Sequence, residues 1–327
     1  MDRTLLTAAG QILHSSQRIL LAAHIRPDGD AIGSLLGAGL ALQNAGKQVE
    51  MVLADGLPTS YQFLTGANQI VTFPSGDFDA VITLDCSELG RTGNALDGCL
   101  TPDINIDHHI TNEYFARLNL VESHAVATAE ILAVALPMMG FQLTQPAAAA
   151  LLTGLVTDTL GFRTANMTPQ ALHTAADLME FGVDLPEIFQ KTLLQRSFES
   201  IAYWGAGLGR LQHEDGLVWT SLTRADRKAS HYPGRDDADL INILSSITDL
   251  DIAIIFVEQS GEQGREKVKV SWRARPGLDV AQVALTFGGG GHAAAAGAEI
   301  HGGLYDVQER VLKATRLLLA EPVLMQN

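Results

Sequence analysis

Cysteine is scarce in this chain: Cys86 and Cys99 are the only two in 327 residues. Two thiols so placed make neither a disulfide framework nor a zinc pattern. Both are expected to be reduced and buried, as in a cytoplasmic protein. Positive charge is also short, with 22 Lys and Arg against 37 Asp and Glu, a net charge of −15. A protein that tracks long nucleic acid needs a basic surface to displace counterions from phosphates, so no long duplex is expected as a partner. A small phosphate-bearing ligand is still allowed, because metals and a few arginines can reverse the field inside one cleft. Long apolar runs are missing too. The most apolar stretch, Ala125 to Phe141, is interrupted by Glu130 and Pro137. It is shorter than the roughly 20 apolar residues of a membrane span and reads as a buried core helix. Met1-Asp2-Arg3-Thr4 leads into no signal-like apolar block, so no membrane partner is expected and the expected location is the cytoplasm.

Hydrophobic residues are 46% of the chain and charged residues 18%, enough apolar material for buried cores, and the length suggests two domains. Short apolar runs at Arg18 to His24, Val49 to Ala54, Gln69 to Phe73, Ala80 to Cys86, Ile104 to Asp107 and Ala116 to Val121 read as strands. They alternate with helical stretches at Ala31 to Ala45, Ala127 to Met139 and Gln145 to Thr157. This alternation predicts an α/β fold whose N-terminal, mainly parallel sheet is covered by helices. Thr168-Pro169 starts a further helix. Leu185 to Leu211 carries no strand signal and predicts one long helical connector. A smaller α/β domain follows: strands at Leu217 to Leu222, Asp251 to Glu258 and Lys267 to Ala274, a turn at Ser260 to Gly264, helices at Asp237 to Ile247, Leu278 to Phe287 and Asp306 to Ala320. Alternation in Lys267 to Ala274 predicts one buried and one open face. The expected division is 1–184, a connector 185–211, and 212–327.

Four segments close apolar elements with Asp or His. In His24-Ile25-Arg26-Pro27-Asp28-Gly29-Asp30 a histidine ends a strand and two aspartates share a tight loop around a glycine. Two such carboxylates repel unless a cation lies between them; the alternative is that Asp28 or Asp30 merely caps the next helix. Asp85 ends Ala80 to Cys86, where a parallel sheet places its site. Asp107-His108-His109 ends the next strand and can supply a ligand, its hydrogen-bond partner and a group facing substrate. Asp158 ends an apolar helix, against that helix's dipole. Carboxylates and imidazoles without thiolates suit Mn²⁺ or a similar ion, and a carboxylate shared by two ions gives a two-metal hydrolytic centre. Further on, Gly288-Gly289-Gly290-Gly291-His292 brings backbone N–H groups close to an anion, and a helix starting after it would add its dipole. Ser271, Arg273 and Arg275 lie just upstream, and arginine suits bidentate phosphate contact. The residues themselves thus point to two-metal phosphoester hydrolysis in a cleft between two domains.

In their order and spacing, the segments His24 to Ser34, Asp85, Asp107-His108-His109 and Asp158 resemble the metal motifs of the DHH phosphoesterase superfamily. Gly288 to Gly297 resembles the glycine-rich signature of the associated DHHA1 domain. Length and domain content are similar to the subfamily of bifunctional oligoribonucleases and PAP phosphatases, the nanoRNases. The resemblance implies that His24, Asp28 and Asp85 hold one divalent ion. Asp30, Asp85, His108 and Asp158 hold the second, so that Asp85 bridges. It further implies that His109 faces the substrate phosphate, with Asp85, His108 and His109 as the catalytic group. Arg273, Gly290, Gly291 and His292, with Ser271 and Arg275 beside them, would bind the substrate's far phosphate or nucleotide. A hydroxide would attack phosphorus in line and release a mononucleotide. The implied substrates are short RNA oligonucleotides and 3′-phosphoadenosine 5′-phosphate (pAp), with Mn²⁺ as the expected metal. Linear or cyclic dinucleotide hydrolysis, pyrophosphate or polyphosphate hydrolysis, and non-catalytic nucleotide sensing stay open as alternatives. A homodimer stays open as well, with no sequence argument behind it.

Overall fold

The computed structural model describes residues 1–97, 101–260 and 265–320. Cys99 and positions 261–264 of the expected turn lie outside them. The chain divides into two compact units that meet in sequence at Gln195 and Arg196.

Unit 1 contains α1 (Arg3–Ser15), β1 (Arg18–Ala22), α2 (Gly29–Asn44), β2 (Gln48–Val52), β3 (Ile70–Val71), β4 (Ala80–Leu84), β5 (Ile104–Asp107), β6 (Leu118–Val121), α3 (Thr128–Met138), α4 (Gln145–Asp158), α5 (Pro169–Met179) and α6 (Leu185–Phe189). Its six strands are all parallel, in the order β3-β2-β1-β4-β5-β6. That order reverses direction between β1 and β4, and a crevice opens beyond the carboxyl ends of the strands at such a reversal. The strands are apolar on both sides because both sides are covered. Ile19 and Leu21 join the large core with α2, α3 and α4. Leu20 and Ala22, pointing the other way, meet Ala95 and Leu96 of a short 3-10 segment. Helices α2 and α4 pack so closely that a Cβ on Gly33 would lie 2.5 Å from the Ala150 carbonyl oxygen. The expected strand Gln69 to Phe73 shrinks to Ile70–Val71. Helix α1 was not anticipated, although Leu6, Ala9 and Leu13 recur at helical spacing and Asp2 caps it.

The 185–211 stretch is not one helix. It is α6, a π-helical turn Gln190–Leu194, an extended break, and α7 (Phe198–Leu208). The break is local chemistry: the Ser197 side chain accepts from Ser200 N–H and starts a new helix within a stretch that reads as one continuous helix.

Unit 2 adds to α7 the elements β7 (Gln212–Glu214), β8 (Leu217–Leu222), α8 (Arg224–Ser230), α9 (Leu240–Leu244), β9 (Ile252–Ser260), β10 (Glu266–Ala274), α10 (Val280–Thr286), β11 (Gly290–His292), β12 (Ala295–His301) and α11 (Leu304–Ala320). Its sheet runs β11-β12-β10-β9-β8-β7, antiparallel except for the β8–β9 pair. Val268, Val270 and Trp272 of β10 enter the core with α10 and α11. Lys267, Lys269, Ser271 and Arg273 stand half-buried on the opposite face, the alternation expected of that strand. The helix expected at Asp237 to Ile247 shortens to Leu240–Leu244. No helix follows the four glycines. They open the β11–β12 hairpin instead, because Gly291 sits at φ +142° where a Cβ would strike the Ala295 carbonyl. Among the described residues no helix is long and apolar enough to cross a membrane.

Candidate metal centre

The end of β1, the start of α2, the ends of β4 and β5 and the last turn of α4 converge on one point of unit 1. His24 follows β1 and is buried, with Nε2 3.3 Å from Asp85 Oδ2 and 3.7 Å from Asp28 Oδ1. His108 follows β5, with Nε2 3.7 Å from Asp85 Oδ1, 3.9 Å from Asp30 Oδ2 and 3.7 Å from Asp158 Oδ2. Asp85 therefore offers one carboxylate oxygen to each group. These separations suit neighbouring donors around one small cation better than hydrogen bonds. Each imidazole also turns its Nδ1 to a backbone carbonyl, Ile25 O at 2.9 Å and Ala125 O at 3.3 Å. Donation there leaves the Nε2 lone pair facing the cluster, the tautomer a metal requires. The six residues named for metal binding thus lie together: His24, Asp28 and Asp85 form one group and Asp30, His108 and Asp158 another, with Asp85 also beside His108 and His109.

The supports are specific. Asp28 does cap α2, accepting from Asp30 N–H and Ala31 N–H at 3.1 Å each, so the capping alternative and the ligand reading hold together. Asp85 stands at φ +58°, an uncommon region for a non-glycine residue. Its N–H donates to Ile106 O at 3.0 Å and its Oδ1 accepts from the Thr128 hydroxyl at 3.0 Å. Asp30 is buried and accepts from Thr128 N–H at 2.6 Å, Ala129 N–H at 2.9 Å and Ser34 Oγ at 3.3 Å. Because Ala127 at the start of α3 has no side-chain cap to give, Asp30 of α2 caps α3.

The electrostatics are those of a cluster that takes up either protons or a cation. Burial, with the charges of Asp85 and Asp158, pushes the Asp30 carboxyl well above the usual range. Burial also lifts Asp158 to about 6, against the pull of His108. Burial opposes charge on His24, yet the neighbouring carboxylates of Asp28 and Asp85 outweigh it and raise its pKa to about 10. Carboxylates this close hold protons unless a metal replaces them. A donor set of four carboxylates and two imidazoles, with the neighbouring Cys86 thiol turned to the Leu84 carbonyl, fits divalent ions that favour oxygen and nitrogen.

Asp107 does not join the ligand sets. Fully buried, it accepts from His109 Nδ1 at 2.7 Å and from Asn112 Nδ2 at 2.6 Å. That contact orients the His109 ring, raises its pKa, and leaves Nε2 for a ligand. Thr128, Asn112 and Arg91, whose Nη2 lies 3.3 Å from His24 Nδ1, escaped the sequence reading. Only Asn112, five residues after Asp107, carried a local signal.

In unit 2 the sheet register aligns Ser271, Gly297 and Gly290 in one row and Arg273, Ala295 and His292 in the next, on the open face. Gly291 falls in the intervening row with Ala296. Arg275 does not belong to this group. It lies past the end of β10 and is ion-paired with Asp251.

A model of the DHH family, N-terminal domain, matches residues 18–155, and one of the DHHA1 domain matches residues 234–321. The chain is 35% identical over 305 residues to the bifunctional oligoribonuclease and PAP phosphatase NrnA of Thermus thermophilus, covering 91% of this chain and 89% of that protein. To the protein of the same name from Mycoplasma genitalium it is 25% identical, over 92% and 94% of the two chains. An exopolyphosphatase-related protein of Bacteroides fragilis, of known crystal structure, shares the fold with a TM-score of 0.86 at 22% identity, over 98% of each chain. With both domains matched in order and a near full-length relative at this identity, the chain belongs to the DHH family of phosphoesterases, in its DHHA1-bearing branch.

Proposed function

We propose that this chain hydrolyses short oligoribonucleotides to mononucleotides and removes the 3′-phosphate of pAp, with two divalent ions, Mn²⁺ foremost, in the cytoplasm. The observation that carries the reading is the Asp85 carboxylate, whose two oxygens face two separate imidazole-containing ligand sets. The names of the Thermus and Mycoplasma relatives support the substrate class.

His24, Asp28 and Asp85 would hold one ion, and Asp30, Asp85, His108 and Asp158 the other. When bound, such ions supply Lewis-acid charge at the phosphoryl oxygens and lower the pKa of water. Every other task falls to the chain. Thr128 fixes the angle of Asp85 through its hydroxyl. Asp107 holds His109 so that Nε2 donates a hydrogen bond to the phosphoryl group, where negative charge grows during the reaction. The ligands all lie in 1–184, the catalytic part; 212–327 is the substrate-binding part, beyond the connector 185–211. There Ser271, Arg273, Gly290, Gly291 and His292 would hold a further phosphate or the nucleotide. Arg275 is left out, because Asp251 already holds its guanidinium.

The test is release of mononucleotide from 5′-labelled RNA di- and trinucleotides, beside phosphate release from pAp, with Mn²⁺ and with EDTA. Turnover of RNA and pAp that EDTA abolishes is the expected result. Failure on all three substrates with Mn²⁺ bound would overturn the reading.

A further inference from the structure

Unit 2 pairs six of its ten guanidinium groups with carboxylates: Arg196 with Asp239, Arg210 with Asp226, Arg224 with Glu258, Arg275 with Asp251, Arg310 with Asp306 and Arg316 with Glu214. Among the described residues Arg265, Arg273, Arg227 and Arg235 have no carboxylate in salt-bridge reach, and the last two lie together. Both open onto a cavity of about 360 Å³ that Gln259, Ser260, Lys267 and Glu299 complete. Lys267 Nζ and Glu299 Oε2 are 2.6 Å apart, so the one carboxylate among the described lining residues is already neutralised, and these residues leave two guanidinium groups uncompensated. In a chain of net charge −15, leaving two neighbouring arginines without acidic partners costs nothing only where an anion or water takes that place. Guanidinium forks match the oxygens of phosphate; Gln259 Nε2 anchors the Arg235 backbone by donating to its carbonyl at 2.7 Å, and the Ser260 hydroxyl, accepting from Arg224 Nη1, keeps its own hydrogen to donate.

The cavity has a fixed relation to the proposed nucleotide patch, because one strand carries both. Lys267, Lys269, Ser271 and Arg273 alternate along the open face of β10. Six residues at about 3.4 Å each put Lys267 roughly 20 Å from Arg273, a distance longer than one mononucleotide.

We propose that the Arg227–Arg235–Lys267 cavity is a distal phosphate site, which takes backbone phosphates of an oligonucleotide whose nearer phosphate lies at Arg273. The identity of that ligand rests on the function proposed above. The site sets how strongly chains longer than a dinucleotide are held, and pAp is too short to reach it.

The experiment measures binding of fluorescein-labelled RNA dinucleotide and pentanucleotide to the full chain by anisotropy in EDTA, where hydrolysis is suppressed. In the Arg227→Ala/Arg235→Ala double variant, pentanucleotide affinity falls about tenfold and the slope of log K against log salt shrinks by about 1.4, two phosphates' worth for a single strand; dinucleotide affinity stays unchanged. Glu299→Gln frees Lys267 and tightens pentanucleotide binding, a gain that misfolding cannot imitate. Equal effects on both lengths, or none on the pentanucleotide, overturn the proposal. Should the wild type bind neither RNA, the nucleotide reading fails by itself. Inorganic tripolyphosphate then probes the cavity: affinity lost in the double variant keeps an anion site, and affinity retained removes it.

Discussion

The hydroxyl of Thr128 donates to Asp85 Oδ1 at 3.0 Å, while the N–H of the same threonine holds Asp30 at 2.6 Å. One residue at the start of α3 thereby sets Asp85, just after β4, and Asp30 of α2, the proposed ligands, at a fixed angle to each other.

Thr128→Val keeps the volume and the N–H and removes only the hydroxyl. Losing one hydrogen bond of about 1 kcal/mol lowers kcat several-fold, with KM and thermal stability close to wild type. Asp85→Ala removes the shared ligand, and activity falls by about a thousandfold or more, since metal clamping contributes several kcal/mol. Steady-state kinetics and Mn²⁺ stoichiometry check both. An Asp85→Ala protein that keeps two tightly held ions and activity within tenfold of wild type would exclude the bridging role.

Gly33→Ala acts on the same site from behind. The new methyl meets the Ala150 carbonyl and the Gly154 backbone, so α2 must move off α4, and Asp30 and Asp158 ride on those helices. The expected cost is about 1–3 kcal/mol of stability, accompanied by weaker Mn²⁺ binding. Urea denaturation and Mn²⁺ titration read the two effects. Loss of stability with unchanged metal affinity would uncouple helix packing from the site.

Arg273 stands on the open face of β10, with Nη1 bonded only to its own Trp272 carbonyl, so its guanidinium has donors left for a ligand. Arg273→Ala raises KM for RNA dinucleotide and for pAp, with a fall in kcat added if the contact tightens in the transition state. Unchanged kinetics on both substrates would remove Arg273 from the binding patch.

Asp226 supplies a pH test of unit 2. The Arg210 guanidinium, 2.6 Å away, and the Thr223 cap outweigh burial and hold its carboxyl at about 2, below the ordinary 3.8. A depressed pKa means the stabilisation is complete above 3.8 and disappears as pH falls toward 2. Asp226→Asn is therefore less stable than wild type at neutral pH, and the gap narrows between pH 4 and pH 2. Melts across that range measure it; a gap independent of pH would assign the effect to the cap geometry alone.

The clustering of these Asp and His residues was legible because an Asp or His that ends an apolar run lies where a buried strand or helix surfaces. His24, Asp85 and His108 each show that pattern. Thr128 was not legible: a threonine opening a helix is ordinary, and its partner Asp85 is 43 residues away. The break at Ser197 was hidden because one capping serine is outvoted by a long helical pattern in any reading by composition. Gly288 to Gly291 read as an anion-binding loop before a helix; the hairpin they open instead is set by the φ of Gly291, which composition does not reveal. Arg275 looked like Arg273 in sequence; its ion pair with Asp251 is a tertiary fact.

Asp30 both faces the centre and caps α3, whereas Asp158 lies at its helix's own end. As proposed ligands, the two therefore tolerate inheritance differently. A lineage that abandoned catalysis could let position 158 drift, yet it would still be selected to keep aspartate at 30 to hold the fold. In diverged copies of this chain, aspartate at 30 marks descent, and the pair 30 and 158 together marks a working enzyme.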